Sequence, residues 1–223
     1  MISRALEWLF PRKCILCRSL LPKEETDLCH RCRIDQPEYR YGTRRMGYIT
    51  DLTALWMYED QVRGSLHRYK FRNARHYASA YGRLLALRIQ SDLPQPDLIT
   101  WVPVSRRRKR QRGFDQVELL ALEVAGELGI PARQTLDKFR DNQPNSQLKT
   151  QPERRANVLG VYKAVDPEAF RGKRVLLLDD IVTTGATASE CARVLMTAGA
   201  EEVYFAALAA AGKPSNKSVL PWH

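Results

Sequence analysis

Nothing in the 223 residues approaches the ~18 consecutive apolar side chains of a transmembrane helix, so no membrane span is expected. The opening Met1–Phe10 carries Glu7 where a secretory leader keeps an unbroken apolar stretch, which argues against secretion and predicts a cytoplasmic protein. No Gly-x-x-x-x-Gly-Lys-[Ser/Thr] occurs, which disfavours a P-loop nucleotide hydrolase. No segment repeats. Histidines number only 4, and spacing gives His67 and His76 no partner. The chain is not poor enough in apolar residues to be disordered, with 44% hydrophobic and 27% charged side chains. Its length allows one sizeable core and a small module beside it.

What the chain has in excess is positive charge, +11 in total. The surplus lies entirely in the first 115 residues; beyond them acidic and basic side chains balance. Arg106, Arg107, Arg108, Lys109, Arg110 and Arg112 place six cations in seven positions. Such a run either faces a polyanion or stays solvated as a basic helix start or loop.

Four of the five cysteines form Cys14-x-x-Cys17 and Cys29-x-x-Cys32. Two residues between thiols let both sulfurs point at one ion, and two such knuckles supply the four thiolates of a closed tetrahedral zinc site. Two disulfides are the alternative but need an oxidising compartment, and a redox Cys-x-x-Cys normally occurs once, beside a βαβ unit. His30 is a candidate substitute ligand. Four thiolates leave no open position, so the metal is expected to be structural. The expected division is a four-cysteine module at 1–45, a main domain at 46–210 and a loose tail at 211–223. A short apolar segment, Ile2, Leu6, Leu9 and Phe10, precedes the module. The fifth cysteine, Cys191, falls on an apolar helix face and reads as a small core residue.

In the main domain a β-prone run at Leu52–Tyr58 leads into helical periodicity at Leu66–Lys70 and at Tyr81, Leu84, Leu85 and Arg88. Val175–Leu178 reads as a strand buried on both faces, as in a parallel sheet. Asp179 and Asp180 fall at its carboxyl end, where open α/β sheets bind ligands. Thr183, Thr184, Gly185, Ala186 and Thr187 follow as a loop into a helix carrying Ala188, Cys191, Ala192 and Leu195, and Val203–Leu208 is the next strand. Backbone amides, threonine hydroxyls and a helix start suit a phosphate, while the two carboxylates ask for hydroxyls or magnesium on the same ligand. A sugar phosphate has both. An ordinary strand end with a capped helix is the alternative. A second unit has Leu98–Val104 as its strand and a helix with Val117, Leu120, Ala121, Val124 and Leu128. Phe71, Trp101 and Phe114 read as core packing.

The run Val175–Thr187 resembles the phosphoribosyl pyrophosphate (PRPP) motif of type I phosphoribosyltransferases. Together with Trp101–Val104, Arg112-Gly-Phe-Asp-Gln116, Glu153–Val158 and the preceding four cysteines, it resembles the ComF family of competence proteins over nearly the whole chain. Asp115 stands where that family usually has Asn, and the Gln expected after Arg140 is displaced, with Gln143 and Gln147 nearby. The resemblance implies an α/β fold, a type I phosphoribosyltransferase-like parallel sheet flanked by helices, with a small N-terminal zinc module. It implies that Asp179 and Asp180 take the ribose and Mg²⁺ of PRPP and that residues Thr183 to Thr187 take the 5′-phosphate. Val104, Ser105 and Arg106 then form the pyrophosphate loop. The polar segment Arg140–Asn157 becomes a closing flap, with Arg140, Arg154 and Arg155 for anionic oxygens. Lys70 matches a recurrent Lys-Phe element and becomes a phosphate contact.

The resemblance implies a part in natural transformation, with PRPP–Mg²⁺ and single-stranded DNA as partners and the Arg106–Arg112 run as the DNA-facing surface. Two alternatives stand beside it. One is an active phosphoribosyltransferase with an unidentified acceptor; the other is a module whose zinc knuckles dock a helicase or another DNA-uptake protein. No catalytic side chain is assigned.

Overall fold

The computed structural model describes residues 11–41, 43–71, 74–143 and 147–211, with backbone alone at Arg44, Arg106, Arg112 and Gln151. The apolar segment at Ile2–Phe10, Arg72, Pro144 and the tail beyond Ala211 lie outside the described residues.

A five-stranded sheet runs in the order β1-β2-β7-β6-β3, from Arg44–Met46 (β1), Ile49–Met57 (β2), Leu98–Trp101 (β3), Arg174–Val182 (β6) and Glu202–Ala210 (β7). β2, β7, β6 and β3 are parallel, and β1 is an antiparallel edge strand. Both faces are covered, so the central strands read as continuous apolar runs. Leu176 and Leu178 join one core with α2 (Asp60–Phe71), α3 (Tyr77–Asp92) and α5 (Gln116–Leu128). Val175 and Leu177 join the other with α7 (Ala186–Thr197). Gly82 lets α3 and α5 approach closely, since a Cβ there would meet the backbone and Cβ of Glu123.

A separate antiparallel ribbon, β4 (Leu136–Lys138) with β5 (Tyr162–Ala164), packs beside α7. The segment between its strands contains α6 (Gln151–Val158), begun by a capping box between Thr150 and Glu153. The expected flap is therefore partly helical. Asn142 and Asn157 clasp its two ends: Asn142 Nδ2 donates to Asn157 O at 2.8 Å, and Asn157 Nδ2 to Gln143 O at 2.9 Å.

The amino-terminal module holds α1 (His30–Asp35) and shares the core of α2 and α3: Cys14, Ile15, Leu16, Leu28 and Cys32 are buried in the same cluster as Leu66, Tyr69 and Tyr81. Arg83 ties it down further with a two-pronged bond to Asp27, at 2.6 and 3.1 Å.

Candidate functional site

The four cysteine sulfurs lie within 4.8 Å of one another, and Cys17 Sγ is 3.6 Å from Cys29 Sγ. Tetrahedral zinc with bonds of about 2.3 Å has sulfur–sulfur edges of about 3.8 Å, so Cys14, Cys17, Cys29 and Cys32 fit the ion. Cys29 also caps α1, accepting from Cys32 N at 3.5 Å. His30 opens that helix with its amide on Glu25 Oε1 at 2.7 Å and is not a member of the cluster.

At the carboxyl edge of the parallel strands, β3 ends at Trp101, beside Leu178, so the loop after it sits next to the acidic pair. The second strand is shorter than Leu98–Val104: it ends at Trp101, with Val102 N still donating to Leu178 O at 2.9 Å, and residues 103–105 leave the sheet. β6, by contrast, runs through both acids to Val182, held by pairing with β7 up to Ala210. Asp179 and Asp180 are therefore strand residues, not loop residues. Side chains alternate along a strand, so the two carboxylates leave on opposite faces of the sheet.

Asp180 turns toward α2 and α5. Lys70 Nζ lies 2.9 Å from its Oδ1, and Gln116 Nε2 donates to its Oδ2 at 3.1 Å. Lys70 and Asp180 side chains are 18% and 9% exposed, so this is a nearly buried pair. Gln116 Oε1 is buried there without a hydrogen-bond partner among the described residues. Asp179 faces the ribbon side. Burial, then the charge of Asp180, raises its carboxyl well above the usual aspartate range, against a bond from Asp180 N. Lys138, which sequence reasoning missed, is close enough to feel the Asp179 charge. It is buried opposite Tyr162 on the ribbon, its ammonium 5.5 Å from the ring centre, and burial and the nearby Arg108 push its pKa down to about 8. A lysine in a three-residue strand has no local signal for this; the pairing of β4 with β5 creates it.

Gly185 adopts φ +74°, and the Met46 thioether occupies the space its Cβ would need, so only glycine suits the turn. α7 begins at Ala186, which places Ala186 and Thr187 in its first turn; Thr183, Thr184 and Gly185 form the loop proper. A cavity of about 460 Å³ opens there, lined by Thr184, Gly185 and Ala186 together with Arg155 and Arg193. Arg155 is thus the flap cation that lines this cavity. Arg154 holds the Leu148 carbonyl at 3.0 and 3.1 Å, and Arg140 lies 5.3 Å from the Phe139 ring centre.

In the candidate pyrophosphate loop, Val104 N donates to Asp115 Oδ2 at 3.3 Å, and buried Ser105 caps α4 (Arg106–Arg112) by accepting from Arg108 N at 3.4 Å. Asp115 also caps α5, accepting from Val117 N and Glu118 N, a task Asp and Asn share. The basic run is a helix, and at about 100° per residue its cations cannot form one stripe. Arg107 and Arg110 are exposed, Arg108 is half-buried, and Lys109 pairs with Glu118 at 2.7 Å. The side chains of Arg106 and Arg112 lie outside the described ones. Trp101 and Phe114 are buried as expected. Phe71 is not: it is 60% exposed, because α2 buries the face that carries Val62, Leu66 and Tyr69, and Phe71, two positions past Tyr69, lies away from it.

A phosphoribosyl transferase domain model matches residues 118–219. Competence protein F of Haemophilus influenzae is 27% identical over 91% of this chain and 98% of its own. DNA utilization protein YhgH of Salmonella typhi is 30% identical over 78% of this chain and 74% of its own. Among solved structures, the allosteric regulatory enzyme of purine biosynthesis aligns at 25% identity with a TM-score of 0.44, over 64% of this chain and 30% of that one. No helix among the described residues is long and apolar enough to cross a membrane.

Proposed function

This chain belongs to the ComF family of competence and DNA-utilization proteins, and on that premise we propose that it binds Mg²⁺–PRPP at the carboxyl edge of its sheet and single-stranded DNA beside it. The observation that carries the ligand reading is convergence: the acidic pair, the Thr183–Gly185 loop and the loop after β3 all meet at that one edge. The acids suit ribose hydroxyls and magnesium, the loop amides suit the 5′-phosphate, and Arg108, Lys70 and Lys138 supply cations for a diphosphate. When bound, Mg²⁺ would neutralise that diphosphate. Gln116 Oε1, an acceptor in need of a donor, suits a ribose hydroxyl.

Calorimetry with Mg²⁺–PRPP is the test. Asp179→Ala and Asp180→Ala each remove hydrogen bonds to a charged group, so affinity falls by about 10- to 100-fold. Binding as tight as the parent's in both variants rejects the assignment.

The DNA reading rests on the exposed Arg107 and Arg110 beside the ligand edge. Reversing both to Glu should weaken binding to oligo(dT) and flatten its salt dependence by about 0.7 in the log–log slope for each phosphate that is no longer neutralised. An unchanged slope removes α4 from the DNA surface.

A further inference from the structure

Helix α2 joins the four-cysteine module to the acidic pair within a single rod. Near its start, Gln61 Oε1 lies 3.2 Å from Cys32 Sγ. One turn on, the Ser65 hydroxyl donates to Ile15 O. Arg68 Nη2 donates to Ile15 O at 2.8 Å and to Leu16 O at 2.7 Å. Ile15 and Leu16 are the two residues between Cys14 and Cys17, so these bonds grip the turn that a bound zinc would hold rigid. The very next residues reach the site: the Tyr69 hydroxyl donates to Gln116 O at 2.6 Å, and Lys70 Nζ meets Asp180 at 2.9 Å. A helix rises about 1.5 Å per residue, so between Arg68 and Lys70 there is about 3 Å of hydrogen-bonded backbone and no hinge.

We propose that Ser65 and Arg68 are positioning residues through which the zinc knuckle seats Lys70 on Asp180, making the metal module a structural half of the ligand site. Adjacent attachments on one rigid element carry such coupling, because a shift of one displaces the other. The affinity part of the inference rests on the PRPP reading; the coupling itself does not.

The test uses the full zinc-loaded chain with Arg68→Ala, Ser65→Ala and Arg68→Lys, each also in a Lys70→Met background. Zinc stays bound in every variant, since no cysteine is touched. Amide hydrogen exchange at residues 69–71 accelerates by about 10-fold or more in Arg68→Ala while β6 and β7 keep their protection. Mg²⁺–PRPP affinity falls by about 10-fold in Arg68→Ala and recovers in part in Arg68→Lys, yet shows no further loss once Lys70 is already Met, which is the signature of action through Lys70. Unchanged exchange at 69–71, or an equal affinity loss with and without Lys70, overturns the proposal. If the parent protein does not bind Mg²⁺–PRPP, the functional reading fails, and exchange alone decides the coupling.

Discussion

Lys70→Met lowers the stability of the folded chain by about 3–5 kcal/mol at neutral pH, the usual penalty for leaving one half of a buried ion pair uncompensated. The two carboxylates of Asp179 and Asp180 are neighbours in sequence, and Asp180 is nearly buried with Lys70 as its ion-pair partner at 2.9 Å. Lys70 also acts on Asp179, where its charge opposes the burial and the like charge that raise the carboxyl. Removing the ammonium therefore pushes Asp179 higher still.

The sign with pH follows. An acid whose folded pKa lies above its unfolded value binds protons more tightly in the folded chain. Its contribution to stability is greatest below the ordinary value of 3.8 and is lost as pH rises through the folded pKa. Urea unfolding followed upward in pH from the ordinary aspartate value should therefore show this contribution fading in the parent, and fading at higher pH in Lys70→Met, where Asp179 is raised further. Lys70→Met combined with Asp180→Leu should recover most of the loss, because an apolar pair replaces the ionic one. A loss in the single variant below about 1 kcal/mol, the scale of a surface pair, would mean that the pair is effectively solvated.

The same residues show how far a linear chain discloses its own site. Leu176–Leu178 announces a two-sided buried strand because both faces of β6 are covered, and nothing non-local is needed to see it. Thr183–Gly185 announces a tight turn for a similar reason, since the left-handed glycine and the helix start are local features. The acidic pair is legible as a pair but not in its arrangement. Ile181 and Val182, two β-branched residues after the acids, extend the strand and so set Asp179 and Asp180 on opposite faces.

What stays hidden depends on contacts between distant segments. Lys138 looks like a surface lysine until β5 pairs with β4 and closes Tyr162 over it. Lys70 matches a short family element, yet its contact with Asp180 depends on how α2 docks against β6. The six-cation run reads as one charged surface, but its helical form divides it among solvent, Glu118 and the site side. Phe71 looks like core because it is aromatic; its place at the exposed end of α2 decides otherwise.

The largest single effect is expected at the four-cysteine module. Four cysteine sulfurs converge within 4.8 Å among residues with little secondary structure of their own, one short helix and an isolated bridge between Lys13 and Leu20. A module of this kind cannot fold on burial alone, and structural zinc in comparable peptides contributes about 10–16 kcal/mol at neutral pH. Stripping the metal with a strong chelator, or replacing Cys14 by Ser, should therefore unfold residues 11–35. The damage does not stop there. Ile15, Leu16 and Leu28 belong to the same core as Leu66, Tyr69 and Tyr81, so the loss exposes the outer face of α2 and α3. Hydrogen exchange should report residues 11–35 at unfolded-chain rates and α2 at intermediate protection, with β6 and β7 least affected because they are covered from both sides by other elements. Thermal unfolding of the main domain should shift down and regain its original midpoint when zinc is restored. A metal-free chain that keeps residues 11–35 protected would show the four sulfurs to be packing residues and the module to stand without an ion.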